Sequence, residues 1–245
     1  MEKPFRIAIS KAQTASAIRV ESPEYLASAI NLLGFHSPRP ILVILGGAGK
    51  MDSADLNRLS SLFVKVLAPL VEELGASVVD GGTDFGVMQM MGAARAEISG
   101  TFSLIGVTPV GFVALPGEIP SQEVVPLEPN HTHFVLIPGS NWGDESPWLA
   151  SVASVLAMGA RSVAVLVNGG EISKIDVSQN IKVNRPVLAV AGTGRLADTL
   201  NAALSGEYTD EEAIKLVASG LVQSIDLKEN LDTVAQVIKL YLENA

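Results

Sequence analysis

The 245 residues, 48% of them hydrophobic and 18% charged, suffice for one sizeable α/β core. Seventeen Lys and Arg against 26 Asp and Glu give a net charge of -9, which excludes the broad cationic surface that a nucleic-acid backbone or an anionic membrane requires. No cysteine is present, so there is no disulfide, thiolate metal site or thiol nucleophile, and with no signal peptide legible in Met1 to Ser10 the expected location is cytoplasmic.

The elements follow in chain order. Phe5 to Ile9 reads as a strand, and Ser22 to Leu33 as a helix capped by Ser22 with Pro23 at its first position. Ile41 to Leu45 is an unbroken apolar run, the mark of a strand buried on both faces, and Gly46-Gly47-Ala48-Gly49 stops it. Asp52 can cap the helix that follows, whose apolar stripe runs to Leu74 and ends at Gly75, with Pro69 kinking its last turns. Ser77 to Asp80 is the next strand, Gly81 to Gly86 its turn, and Val87, Met91, Ala94 and Ile98 the stripe of a helix. Further strands are expected at Ser103 to Val107, His133 to Ile137, Ser162 to Val167, Val187 to Val190 and Val222 to Ile225. Helices are expected near Glu145 to Met158, Glu171 to Asn180, Gly194 to Leu204, Thr209 to Ala218 and Lys228 to Leu242.

Trp148 to Val167 is about as long as the roughly 20 residues that span a bilayer. Ser151, Ser154 and the Gly159-Ala160-Arg161 break divide it into a buried helix and a buried strand, so no membrane span is expected. Alternating β and α elements predict a Rossmann-like, doubly wound, mainly parallel sheet with helices on both faces. One domain over 1–245 is the simplest division, with 1–40 as an N-terminal extension and 207–245 as C-terminal helical elements packed on it. The Pro-rich passage Val110 to Pro129, with Pro116, Pro120, Pro126 and Pro129, is the one long irregular segment.

Six apolar runs end in glycine: at Gly46-Gly47-Ala48-Gly49, Gly81-Gly82, Gly106, Gly139, Gly169-Gly170 and Gly192-Thr193-Gly194. In a parallel sheet such turns share one edge, where ligands of open α/β sheets bind and backbone N–H groups can approach phosphate. For each single turn, the plain alternative is that glycine supplies the φ a tight bend needs. Lys50 follows the first turn but is itself followed by Met51, so the hydroxyl of a nucleotide triphosphatase phosphate loop is missing. The second turn is the best anion candidate: Gly82, Thr83 and Gly86 would meet phosphate, with Val87 and Met88 in the first helical turn beside them. Thr108 and Pro109, closing the next strand, are further candidate contacts.

His131 and His133 point the same way if they share a strand, yet a zinc site needs a further ligand and only His36 remains, so no metal is expected. One of the two is expected in the pocket and the other, or both, in the structure. Gly139, Ser140, Trp142, Gly143 and Glu145 form a turn entering a helix. Trp142 can stack on a base or serve as a core ring; Glu145 can act as general acid or base, bind ribose, or simply complement the helix dipole. Arg195 is the candidate cation for a diphosphate, with pairing to Asp198 as its alternative.

At these residues a resemblance becomes legible. Asp80-Gly-Gly-Thr-Asp-Phe-Gly-Val-Met88, Ile105 to Pro109, Leu127-Glu-Pro-Asn-His-Thr-His-Phe134, Asn168-Gly-Gly170 and Arg185 to Asp198 resemble, in the same order, the cytosolic N-terminal homology region of TRPM ion channels. The chain is identified as a free-standing, prokaryotic-type member of the SLOG superfamily. That resemblance implies recognition of a small nucleotide derivative such as ADP-ribose, no firm cofactor, and possible self-association into a homo-oligomer. It also extends to Lonely guy phosphoribohydrolases, whose Gly-Gly-x-x-Gly-Leu-Met and Pro-Gly-Gly-x-Gly-Thr-x-x-Glu blocks are similar to Gly81 to Met88 and Pro138 to Glu145. Here Ser140 replaces a glycine, the spacing differs, and Pro126 to Phe134 offers no counterpart of those enzymes' arginine. Binding is therefore the leading expectation, and cleavage of an N-glycosidic bond by Glu145 the alternative.

Overall fold

The computed structural model describes residues 2–9, 13–49, 51, 53–113, 124–207 and 210–243. Lys50, Asp52, Pro116, Pro120 and Thr209, all named above, lie outside the described residues.

The strands are β1 (Phe5–Ala8), β2 (Thr14–Arg19), β3 (Ile41–Gly46), β4 (Ser77–Asp80), β5 (Leu104–Pro109), β6 (His133–Ile137), β7 (Ser162–Val167), β8 (Val187–Ala191) and β9 (Val222–Asp226). They form one sheet in the order β1-β2-β6-β5-β4-β3-β7-β8-β9, parallel throughout except that β1 runs antiparallel to β2. The expected Rossmann-like α/β architecture is thus the observed one. After β3 the chain builds outward through β4 and β5 to β6, then returns to place β7 on the other side of β3. The order reverses between β3 and β7, and an open parallel sheet leaves a crevice outside the strand ends at such a point.

The helices are α1 (Leu26–Leu32), α2 (Ser53–Leu62), α3 (Ala68–Glu73), α4 (Gly86–Glu97), α5 (Ser146–Ala157), α6 (Glu171–Lys182), α7 (Arg195–Leu204), α8 (Glu211–Val217) and α9 (Leu231–Leu242). Side chains alternate across β3, so Ile41, Val43 and Leu45 enter one core with α1, α5, α6, α7 and α8. Leu42 and Ile44 enter the opposite core with α2, α3, α4 and α9. Two separate apolar layers are what an unbroken hydrophobic strand requires. α2 and α3 are joined by a π turn over Phe63–Leu67, where the Ala68 N–H reaches back to Phe63 O. The turn lies just ahead of Pro69, whose missing N–H could not continue the α-helical ladder.

Three local expectations change, those for β2, Ser22 and Gly106, and that for Trp148 to Val167 holds. β2 carries no strand in the sequence reading; Thr14–Arg19 is rich in small residues, and its burial comes from insertion between β1 and β6. Ser22 provides no side-chain cap, and Pro23–Tyr25 forms a 3-10 turn before α1. Gly106 does not end a strand: it lies inside β5, where an added Cβ would come within 2.6 Å of the Gly82 Cα. Trp148 to Val167 resolves into most of α5 followed by β7, and among the described residues no helix is long and apolar enough to cross a membrane.

Candidate functional site

The carboxyl ends of β3, β4, β5 and β7 open onto a cavity of about 680 Å³. That volume suits a nucleotide-sized ligand, for which about 300–1,000 Å³ is usual. Its floor lies at the reversal of strand order, with Gly46 and Gly47 on one side and Gly169 and Gly170 on the other. Gly46 is indispensable there: its φ is +107°, and a Cβ would lie 1.9 Å from Val167 O. Gly170 allows a similar approach, since a Cβ on it would fall 2.4 Å from an Arg195 guanidinium nitrogen.

Charge is distributed unevenly around the cavity. The guanidinium of Arg195, exposed at the head of α7, has no ion-pair or hydrogen-bond partner among the described residues. Its expected alternative partner, Asp198, instead accepts the Gly192 N–H at 2.7 Å and the Gly194 N–H at 3.0 Å. On another part of the wall stand Glu145 and Asp176. Burial raises the Glu145 carboxyl above its ordinary range, and the Asp144 charge adds to this, against a 2.8 Å hydrogen bond from the Gly143 N–H. Asp176 is 8% exposed, and burial lifts its pKa to about 7; a 2.6 Å bond donated by Ser146 Oγ opposes the rise and the Glu145 charge assists it.

Asp176 escaped the sequence reading. The signal was present: Ser173, Asp176 and Asn180 share with Val177 the buried stripe of α6, where a helix that only covers a sheet carries apolar residues.

Residues 39–236 match the family described as "SLOG in TRPM, prokaryote". The chain belongs to this family. Among its relatives, transient receptor potential cation channel subfamily M member 2 of Mus musculus is 25% identical over 236 residues, covering 82% of this chain but 15% of the channel. Subfamily M member 6 of the same organism is 26% identical over 191 residues, covering 66% of this chain and 9% of the channel. The chain thus spans a small part of the length of the channels it matches. Among solved structures, the X-ray structure of TM1055 superposes with a TM-score of 0.53 at 19% identity, covering 82% of this chain and 99% of that one, a likeness of fold.

In this SLOG family member, the cavity brings together ten of the residues singled out from sequence: Gly46, Gly47, Thr83, Met88, Pro109, Trp142, Glu145, Gly169, Gly170 and Arg195. Trp142 is 43% exposed and stacks on Phe112, with ring centroids 4.5 Å apart, so one face of the indole is already covered. Phe85, 64% exposed, is a second aromatic on the wall. Phe85 offers α4 no side-chain cap, and Gly86 lies close enough that a Cβ on it would be 3.3 Å from the Ala48 N, so Ala48 and the head of α4 meet behind the rim. Ala48 and Gly49 do not themselves line the cavity.

Several candidates prove structural instead. The Gly82 N–H already donates to Asp80 Oδ1 at 2.7 Å, and its Cα packs against Gly106 and Phe134. Thr108 is buried and donates to Gly81 O at 2.8 Å, and Val87 is a core residue. Gly139 fits between Pro109 and Asp144, Ser140 N–H donates to Asp144 Oδ2, and Gly143 turns at φ +102° to meet Glu145. Thr193 is buried, donating to Val190 O and accepting the Asn168 N–H. Gly192 and Gly194 spend their N–H groups on Asp198, as noted.

Neither histidine reaches the cavity. His131 is wholly buried, with Nε2 2.8 Å from Asp80 Oδ1 and Nδ1 2.8 Å from Glu128 Oε2. Asp80 Oδ1 is also the acceptor of the Gly82 N–H, so His131 supports the glycine turn from behind. His133 sits at the opposite, amino end of β6, against Thr132 and the Phe35 ring, with its pKa lowered to about 4 by burial and by the Arg39 and Arg95 charges.

Proposed function

We propose that this chain binds a phosphorylated nucleotide derivative of the ADP-ribose type in the cavity beside β3 and β7, as a recognition or sensing domain. The observation that carries the reading is the Arg195 guanidinium over Gly170, without a partner among the described residues, on a cavity whose floor is glycine at the reversal of strand order. A diphosphate would take its charge-assisted bonds from Arg195 and sit close to backbone at Gly46 and Gly47, while Phe85 and Met88 would flank the base. Membership of the SLOG in TRPM family supports the ligand class. Incubating the purified chain with ADP-ribose, NAD and nucleoside monophosphates, then weighing what is retained and released, tests it. Intact ligand on the protein is the expected result; no retention of any of them removes the reading.

Hydrolysis of an N-glycosidic bond is a second reading, favoured by one observation. Arg195 lines the same cavity as Glu145, so a cation stands there although the segment ahead of Pro138 offers no arginine. Burial suits Glu145 to hold a proton for a leaving base. Release of free base in the same incubation, abolished by Glu145→Gln, is the outcome this reading requires.

A further inference from the structure

The charges of the cavity wall bear on which nucleotide derivatives fit. Among the described residues, Arg195 is the cation, and Glu145, Asp176 and Glu171 are the anions. Glu171 is an exposed rim residue 3.4 Å from Lys174, which is also within 3.5 Å of both Asp210, the cap of α8, and Glu212 on it. Glu145 and Asp176 are the enclosed pair. They share a corner with Trp142 and Ile172, because the Gly143 turn packs directly on α6. Asp176 spends one oxygen on Ser146 and, among the described residues, has no partner for the other. Such a carboxylate at a cavity wall, once ionised, is stable only if a cation meets it.

A ligand that puts phosphate at Arg195 and a neutral or anionic group in this corner leaves two enclosed carboxylates uncompensated. A flat ring carrying a fixed positive charge would pair with them and lie against an aromatic wall, where a cation is further stabilised. We infer, resting on the nucleotide-binding reading above, that the Glu145–Asp176 corner selects ligands in which the nucleotide phosphate is joined to a cationic nitrogen heterocycle, the class of pyridinium ribosides, over their uncharged counterparts.

The charged groups sharing the wall with Asp176 are Glu145 at the head of α5, Glu171 on its own helix and Arg195 at the head of α7; the strands beneath contribute apolar residues and glycine. Since Asp176 has its pKa near 7, the preference for a cation should grow from about pH 6 to about pH 8 as it ionises. Affinity for ADP-ribose, which lacks the cation, should fall over the same range.

Reduction of nicotinamide dinucleotide adds one hydride to the ring and removes that charge, so calorimetric titration of the full chain with each redox form, and with ADP-ribose, is decisive. Oxidised dinucleotide is expected to bind about tenfold tighter than reduced at about pH 8. Asp176→Asn should bring the ratio near unity and tighten ADP-ribose; Glu145→Gln should reduce the ratio independently if the first variant folds poorly. Equal affinity for the two redox forms while ADP-ribose binds overturns this inference and leaves the nucleotide reading standing. A preference that survives both substitutions also overturns it. No binding by any of the three overturns both.

Discussion

Replacing His131 by alanine removes the cation between two buried carboxylates. Burial alone would lower the pKa of this ring; the charge and hydrogen bond of Asp80, followed by those of Glu128, more than offset it and hold the value at about 9. Without the imidazole, Asp80 and Glu128 remain enclosed with no counter-charge between them, a loss that costs about 3–5 kcal/mol. For a chain of this size that is a fall in Tm on the order of 10 °C. The pH dependence provides a second, independent magnitude. The folded pKa lies above the unfolded value of 6.5, so the stabilisation is complete below about pH 6.5 and is lost as pH rises through about 9. The difference of roughly 2.5 units corresponds to about 3 kcal/mol. Urea unfolding of wild type and His131→Ala at about pH 6, 7.5 and 9.5 should show the gap between them closing by that amount. A gap independent of pH, or a variant as stable as the wild type, refutes a buried histidinium behind the Gly82 turn.

Arg195→Ala should weaken binding of ADP-ribose by about tenfold to a hundredfold. It should leave Tm within about 2 °C, because the guanidinium holds no partner among the described residues; calorimetry and thermal melts check the two halves, and unchanged affinity removes Arg195 from the site. Asp176 has its folded pKa raised from 3.8 to about 7, so its contribution is lost as pH rises through 7. Asp176→Asn should therefore be more stable than the wild type above about pH 7, by a few kcal/mol, and lose that advantage by about pH 4. Gly46→Ala meets both a positive φ and backbone oxygen, and should fail to give soluble folded protein. Gly47→Ala, with nothing within 4 Å of its added methyl, should express and melt like the wild type.

Local pattern carried most of the architecture. β6 and β7 match their sequence-read bounds residue for residue because a continuous apolar run bounded by polar or turn residues has few other ways to be buried. β2 went unread because Thr14–Arg19 has no such run, and its place depends on β6, more than a hundred residues along the chain. For the site, the parallel sheet already implied that the glycine turns share an edge, and the cavity does lie on it. Which glycines remain open there is a tertiary matter: distant or displaced carboxylates, Asp80 for Gly82 and Asp198 for Gly192 and Gly194, consume the amides that a local reading leaves free. The histidines make the same point, since two residues separated by one position differ in pKa by about five units according to what encloses them. Sequence alone determined where the strands end in turns without side chains, because glycine and hydrophobic periodicity act over a few residues. Only the tertiary structure decided the charge of the cavity, because Glu145, Asp176 and Arg195 come from the heads or inner faces of three helices and acquire their electrostatic character from burial and from one another.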